Sequence, residues 1–160
     1  MQYYDGKPPE TILHGSPWPD AKFVWFKQIT EVSPGVWLIP VVSDIPGTRE
    51  MPEIPLGIRT RRGLVVVAGC SHPGIENILD ASRQIEERVF GIFGGLHLGL
   101  TQEQEIRRIA LRDEWRVERI APGHCTGESA FAALSEVFEE RYVFAGLGDS
   151  IELPRRLSEN

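Results

Sequence analysis

The chain lacks the features that mark several large classes of protein. Only two cysteines occur in 160 residues, too few for the disulfide framework of a small secreted domain. No apolar stretch approaches the roughly 20 residues that a membrane-spanning helix needs, and no secretory leader is recognisable. We therefore expect a cytoplasmic protein whose thiols are reduced, with no membrane partner.

Positive charge is also scarce. Lys and Arg total 17 against 23 Asp and Glu, which gives a formal net charge of -6. A nucleic-acid-binding surface needs basic residues concentrated on one face. Nucleic acid is therefore not an expected partner.

Several catalytic signatures are missing as well. The sequence contains no Gly-x-Ser-x-Gly elbow, no phosphate-binding Walker loop and no Gly-x-Gly-x-x-Gly fingerprint, so the enzyme classes that use them are disfavoured. Cys70 and Cys125 each lie near a histidine, but close neighbours on a tight turn usually point apart. Thiol catalysis is therefore disfavoured too.

The length of the chain is that of a single domain, so we treat residues 1–160 as one domain. Its first third is irregular. Proline, glycine and aromatic residues crowd residues 1–30, which predicts an irregular arm. Residues 31–40 predict two short extended pieces around a Pro-Gly turn. Residues 45–55 contain three prolines and a glycine, which predicts a loop.

The remaining sequence alternates apolar runs with helical patterns. The unbroken apolar run at residues 64–68 predicts a strand buried on both faces. Short strands that alternate with helices predict a layered α/β domain. The predicted strands cover residues 56–60, 64–68, 89–93, 117–121 and 142–145.

Two helix starts can be predicted from the sequence. Pro73 suits the first helical position, and Ile75 and Ile78 follow at helical spacing. Thr101 and Gln104 have the spacing of a capping box for the next helix.

Three of the four histidines follow predicted strands, where open sheets place their chemistry. His124 follows Pro-Gly on a tight turn, so it is either a metal ligand or only a cap for that turn. Thr126 and Gly127 open the next helix, whose free N–H groups can hold a phosphate. We count both as candidate substrate-binding residues.

A second candidate pair follows the strand at residues 64–68. The Cys70 thiolate and the His72 imidazole can share one metal ion or bind two adjacent ones. The alternative is that Cys70 is a small buried hydrophobe and His72 a helix cap.

A third candidate site contains Gly94, Gly95 and His97. The two glycines allow the backbone or a ligand to approach closely, so they are candidate substrate-binding residues. His97 is a candidate catalytic residue that could donate a proton, and it could instead bind a substrate phosphate or complete a metal shell. Alternatively, the glycines serve only sheet–helix packing and His97 lies at the surface.

Three motifs in order carry a resemblance: GCSHPGIENI at residues 69–78, GGLHL at 94–98 and APGHCTG at 121–127. Together they resemble the metallo-β-lactamase-fold hydrolases, in particular the subgroup similar to dihydropterin ribofuranosyl-aminobenzene phosphate synthase. The resemblance implies the C-terminal half of an αββα sandwich over residues 31–153, with a sheet covered by helices on one face.

The resemblance also implies a site and a reaction. His124 corresponds to the last histidine ligand, and Cys70 or His72 replaces the metal-bridging aspartate. The implied cofactor is a divalent metal, with zinc expected and manganese or iron as alternatives. The implied activity is metal-dependent hydrolysis of an ester or phosphoester in a small molecule.

The chain departs from this family in one large respect. It has no His-x-His-x-Asp-His cluster, so the N-terminal half of the usual metal site is missing. We therefore expect a truncated or split enzyme, completed in a homodimer or by a chain that carries the missing half. The alternative is a non-catalytic module that binds phosphate-containing ligands.

Overall fold

The computed structural model describes residues 26–155, so most of the predicted N-terminal arm lies outside the described residues. The described chain forms eight strands, three helices and a short 3-10 turn. The strands are β1 Thr30–Ser33, β2 Val36–Leu38, β3 Val41–Val42, β4 Pro52–Glu53, β5 Leu56–Thr60, β6 Gly63–Ala68, β7 Val89–Gly95 and β8 Arg119–Gly123. The helices are α1 Ile75–Ser82, α2 Glu103–Ala110 and α3 Glu128–Phe138, followed by the 3-10 turn Glu139–Arg141.

Six strands form one sheet in the order β1-β2-β5-β6-β7-β8. The pairs from β1 to β6 are antiparallel, whereas β6, β7 and β8 run parallel to one another. Parallel neighbours need a crossover connection, which α1 and α2 provide. The carboxyl ends of the three parallel strands therefore meet at one edge, where Ala68, Gly94 and Pro122 lie side by side.

The core lies between one face of this sheet and the three helices. Leu64 and Val66 of β6 and Ile92 of β7 pack in one buried cluster with Ile78 of α1 and Leu134 of α3. Alternation along β6 sends every second side chain to this face. The fold is thus a mixed α/β arrangement with its helices on one face of the sheet, as predicted.

Helix α2 is held to the core by one fully buried side chain, which gives a direct test of the packing. Ile106 is 0% exposed, whereas Leu111 just beyond the helix is 69% exposed. We expect Ile106→Ala to lower the free energy of unfolding by about 2–5 kcal/mol, because it leaves a cavity. Leu111→Ala should change it by less than about 0.5 kcal/mol. Urea unfolding followed by circular dichroism compares them, and equal losses would contradict this packing.

Both predicted helix starts were wrong by one or two residues. Helix α1 begins at Ile75 after Gly74, whose φ is 88°, a conformation that glycine adopts without the steric cost of a side chain. Helix α2 begins after Gln102, and no side chain caps it. The Thr101 N–H instead donates to the Leu98 carbonyl, so Thr101 belongs to the preceding turn. In the described part of the chain, no helix is long and apolar enough to cross a membrane.

The strand predictions need three corrections. Residues 142–145 do not form a strand, because only a single bridge joins Tyr142 to Ile120. The predicted loop at 45–55 contains β4, which pairs with β3. The strand at 64–68 is not buried along both faces, because Val67 is 38% exposed on the face away from the helices.

Candidate metal centre

The loops after β6, β7 and β8 bring sulfur and nitrogen atoms together at the sheet edge. Cys70 Sγ lies 3.5 Å from His97 Nδ1 and 2.7 Å from Cys125 Sγ. The rings of His72 and His97 have centroids 4.7 Å apart at an interplanar angle of 60°. Both cysteines are free thiols.

These residues form two overlapping sets of possible metal ligands. The first set is Cys70, His72 and His97, and the second is Cys70, His124 and Cys125. Within each set, one donor atom per residue lies within 4.8 Å of the others. The predicted ligands His72 and His124 therefore face the same rim but fall in different sets, and Cys70 belongs to both.

An unusual backbone conformation recurs in all three loops. Ser71, His97 and His124 have φ angles of 63°, 51° and 50°, in the left-handed region that non-glycine residues seldom occupy. Such conformations cost about 1–3 kcal/mol each and cluster at functional sites. These three residues turn the backbone sharply at, or directly beside, the residues that carry the donor atoms.

The glycines of the second loop let the neighbouring loops close up. A Cβ on Gly94, whose φ is 116°, would lie 2.0 Å from the Ala68 carbonyl oxygen, and one on Gly95 would lie 2.9 Å from Cys125 Sγ. Gly127 is also closely packed, because a Cβ added there would lie 2.6 Å from Gly99 Cα. Of the two alternatives for these glycines, the contacts therefore favour close packing.

Thr126 is part of the same packed region. Its side chain is fully buried, and its hydroxyl donates to the Gly123 carbonyl at 2.7 Å and accepts the Leu96 N–H at 3.2 Å. The Thr126 N–H also donates to Gly123. These bonds fasten the third loop to the second, and they leave the Thr126 hydroxyl and N–H occupied within the protein.

Glu53 is a site residue that the sequence analysis missed. Its carboxylate accepts the Ser71 N–H at 2.8 Å and the His72 N–H at 3.1 Å. Glu53 Oε1 also lies against His72 Nδ1, so the same carboxylate contacts both the backbone and the ring of His72. No motif singled out Glu53, which follows a proline in a stretch without periodicity.

The β3–β4 hairpin that carries Glu53 also fixes the other side of His72. The Ser43 hydroxyl donates to the His72 carbonyl at 3.0 Å, and the Thr48 hydroxyl reaches the same oxygen at 3.3 Å. Ser43 Oγ and Thr48 Oγ1 are themselves 2.9 Å apart. The backbone of His72 is thus held through both its N–H and its carbonyl.

The surroundings of the site favour the uncharged forms of two donors. Burial, the neighbouring Cys125 thiol and the Glu53 carboxylate raise the pKa of Cys70 to about 12. Burial and the nearby His72 lower the pKa of His97, and Glu53 opposes that shift. An unprotonated imidazole can bind a metal, and a thiol must lose its proton to do so.

The donor set fits a divalent metal ion. Thiolate sulfur and imidazole nitrogen are the ligands that zinc takes in proteins, at about 2.3 and 2.0 Å. The Glu53 carboxylate beside His72 is the kind of partner that metal-bound imidazoles usually have.

This geometry predicts a measurable role for Glu53. Glu53→Gln should weaken zinc binding by about 10–100-fold, because it removes the negative charge that orients and polarises His72. Glu50→Gln is the matched control, since Glu50 is an exposed residue of the same hairpin. Competition with a chromophoric chelator measures both affinities. Equal affinities in the two variants would show that Glu53 does not support the site.

A cleft of about 520 Å³ opens beside the donors, within the size range of small-molecule sites. His97 and Cys125 lie in its wall, and no Lys or Arg is among the described residues that line it. The other lining residues are mainly apolar, with two carboxylates: Ile45, Pro46, Ser71, Gly74, Ile75, Glu76, Leu96, Leu98, Gly99, Leu100, Thr101, Glu105 and Ile109.

Two curated proteins of Methanocaldococcus jannaschii are similar to this chain. One is 7,8-dihydropterin-6-methyl-4-(beta-D-ribofuranosyl)-aminobenzene-5'-phosphate synthase, 38% identical over 93 residues that make up 56% of this chain and 32% of that protein. The other is an uncharacterized protein, 32% identical over 91 residues, 54% of this chain and 33% of the relative. The chain thus matches about a third of the length of these relatives.

The fold also matches a solved structure. This is the crystal structure of a metal-dependent hydrolase of the β-lactamase superfamily, with a TM-score of 0.71 and 32% sequence identity, covering 83% of this chain and 59% of the other. No protein-family model matches the chain. In sequence and in fold, the chain is therefore similar to proteins of the metallo-β-lactamase superfamily.

Proposed function

We propose that this chain carries the C-terminal half of the active site of a metal-dependent hydrolase that acts on an ester or phosphoester in a small molecule. The observation that supports this most strongly is the convergence of donors from three successive strand ends, with one sulfur common to both sets. The solved structure it resembles is a metal-dependent hydrolase. The curated relative is a synthase, so it does not support hydrolysis in particular. Hydrolysis is proposed from the solved structure and from the donor atoms at the site.

The proposed roles follow the positions of the side chains. Cys70, His72 and His124 are the proposed metal ligands, and Cys70 can act together with either histidine. Zinc is the proposed metal, and manganese or iron are alternatives. The metal supplies Lewis acidity toward the scissile bond. His97 has an exposed ring in the wall of the cleft, where it can donate a proton to a leaving group.

The residues that line the cleft indicate which kind of substrate it can hold. The walls are mainly apolar, and the two carboxylates, Glu76 and Glu105, are paired with Arg108 and Arg112. Such a lining suits the uncharged body of a substrate better than a second anionic group. The contacts of Gly94, Gly95, Gly127 and Thr126 favour packing, so a phosphate-binding module built on these loops has less support than a hydrolase.

Hydrolysis assays with metal-reconstituted protein test this proposal. p-Nitrophenyl acetate, p-nitrophenyl phosphate and bis(p-nitrophenyl) phosphate represent the three ester classes. We expect turnover of at least one that is abolished by a chelator and restored by zinc or manganese. His97→Ala should lower kcat by about 100-fold or more while the metal stays bound. Metal binding without turnover of any probe, both by the chain alone and after co-expression with a chain that carries the missing half of the site, would reject the hydrolase.

A partner chain is part of the proposal. Leu56, Val67 and Phe93 lie side by side in register on the sheet face away from the described helices. Burying these side chains favours association with a second copy or with a chain that supplies further ligands. Light scattering during size-exclusion chromatography should show a dimer, or a complex after co-expression with such a chain. A monomer under both conditions would reject this part.

A further inference from the structure

We propose that Cys70 and Cys125 form a site of reversible oxidation, where hydrogen peroxide joins the two sulfurs in a disulfide and so disables the metal centre. The effect on the metal rests on the proposed function, in which Cys70 is a ligand, and it adds a means of regulation to that site. The chain contains only these two cysteines, and they lie 55 positions apart in the sequence.

The two sulfurs are close to each other although they belong to different loops. Cys125 Sγ lies 2.7 Å from Cys70 Sγ and 3.2 Å from the Cys70 carbonyl oxygen, and both thiols are free. Two sulfurs this close need only small side-chain rotations to form a bond. A cysteine that merely fills the core is surrounded by apolar side chains, whereas Cys70 Sγ also lies 3.5 Å from His97 Nδ1.

The residue that follows each cysteine holds its loop in this arrangement. The buried Ser71 hydroxyl donates to the Gly95 carbonyl at 2.6 Å, and the buried Thr126 hydroxyl accepts the Leu96 N–H at 3.2 Å. Both loops are thus fastened to neighbouring residues at the end of β7. Gly95 also leaves room for the sulfurs, because a Cβ there would lie 2.9 Å from Cys125 Sγ. The pairing of the sulfurs therefore follows from the packing of the backbone around them.

One of the two thiols is open to a small oxidant. Cys125 lies in the wall of the cleft of about 520 Å³, whereas Cys70 is not among the described residues that line this cleft. A peroxide that enters the cleft therefore meets Cys125 first. An accessible thiol beside a second cysteine is the arrangement that oxidises reversibly, because the second thiol captures the first oxidation product.

The reaction has two steps. The Cys125 thiolate attacks one peroxide oxygen, the O–O bond breaks, and a sulfenic acid forms, while the other oxygen leaves as hydroxide and takes up the thiol proton to become water. The Cys70 sulfur then attacks the sulfenic sulfur, so that the S–S bond forms and the S–O bond breaks. The sulfenic hydroxyl leaves with the Cys70 proton as a second water. Overall, the two thiols give two electrons to the peroxide, and a thiol reductant reverses the change.

The disulfide acts on the metal through Cys70. This residue belongs to both sets of possible ligands, and a sulfur in a disulfide is no longer the thiolate that binds a metal. Oxidation therefore leaves His72 and His124 as the remaining proposed ligands. Zinc already bound to Cys70 should slow the second step, because it occupies the attacking sulfur.

Peroxide treatment of the metal-free chain tests this proposal. Thiols that survive are alkylated after denaturation, and the intact mass is measured. The wild type should lose both thiols together, become lighter by two hydrogen atoms and stay monomeric on a non-reducing gel. Peptide mapping should join Cys70 to Cys125, and dithiothreitol should restore both thiols. The oxidised chain should bind zinc at least about 100-fold more weakly than the reduced chain does.

Cys125→Ser is the control, because it keeps the proposed ligands and removes the first thiol to react. Under the same peroxide, its Cys70 thiol should be lost at least about tenfold more slowly than in the wild type. Circular dichroism checks the fold, and Cys125→Ala replaces Cys125→Ser if that variant unfolds. Peptide mapping of the wild type needs neither variant.

Three results would overturn the proposal: separate oxidation of each thiol to a sulfinic acid, a disulfide between two chains, or a disulfide within the chain that leaves the zinc affinity unchanged. The ester assays test the hydrolase separately. Metal-dependent turnover without the disulfide would leave the proposed function standing. Disulfide formation with loss of zinc, but with no turnover of any ester probe, would leave the oxidation site standing and reject the hydrolase.

Discussion

Replacing Cys70 by alanine should remove metal binding almost completely. Cys70 is the one residue common to both sets of donors, so its loss leaves each set with two protein ligands. Loss of an outer-shell partner already weakens metal sites by about 10–100-fold, and we expect loss of this ligand to cost at least about 100-fold. Zinc content after desalting and chelator competition measure the effect.

The matched control for Cys70→Ala is Cys125→Ala. Both changes remove one half-buried thiol at the same rim, but Cys125 belongs to only one set. Cys125→Ala should therefore retain most of the zinc binding, because the proposed ligands Cys70, His72 and His124 remain. If Cys70→Ala bound zinc as tightly as the wild type does, the shared-sulfur arrangement would be wrong.

Gly94→Ala should destabilise the fold severely, because the added methyl group would meet the Ala68 carbonyl oxygen at 2.0 Å. That oxygen belongs to the backbone of the neighbouring strand and cannot move alone. Strain from the positive φ and overpacking together should cost at least about 3 kcal/mol. This is a large share of the roughly 5–15 kcal/mol by which a domain is stable. Urea unfolding measures the loss.

Gly69→Ala is the control for Gly94→Ala. Gly69 lies beside the same strand ends, but a Cβ there meets nothing within 4 Å. We expect it to change the free energy of unfolding by less than about 1 kcal/mol. If Gly94→Ala were as stable as Gly69→Ala, close packing would not explain the glycine at position 94. The alternative, that Gly94 leaves room for a ligand, would then be favoured.

The parallel part of the fold was predictable because its physical signals are local. Unbroken apolar runs marked β6 and β7, and helical spacing marked α1 between them. Parallel strands then require their carboxyl ends to meet at one edge. This reasoning alone placed Cys70, His72, His97 and His124 on a common rim, and the structure brings them together there.

The rest of the site depends on contacts between distant segments, which leave no periodic signal. Glu53 reaches Ser71 and His72 across 18 and 19 residues of sequence, and its two-residue strand is too short to recognise. The partition of His72 and His124 into separate donor sets depends on rotations about loop bonds. The missing capping box has a local cause instead, because the Thr101 N–H already donates to the Leu98 carbonyl in the turn at residues 98–101.

X-ray absorption at the zinc edge of the reconstituted chain tests the central claim most directly. The account predicts that zinc is retained after desalting, with sulfur neighbours at about 2.3 Å and nitrogen neighbours at about 2.0 Å. Zinc surrounded only by oxygen and nitrogen, or a chain that retains no zinc, would contradict it.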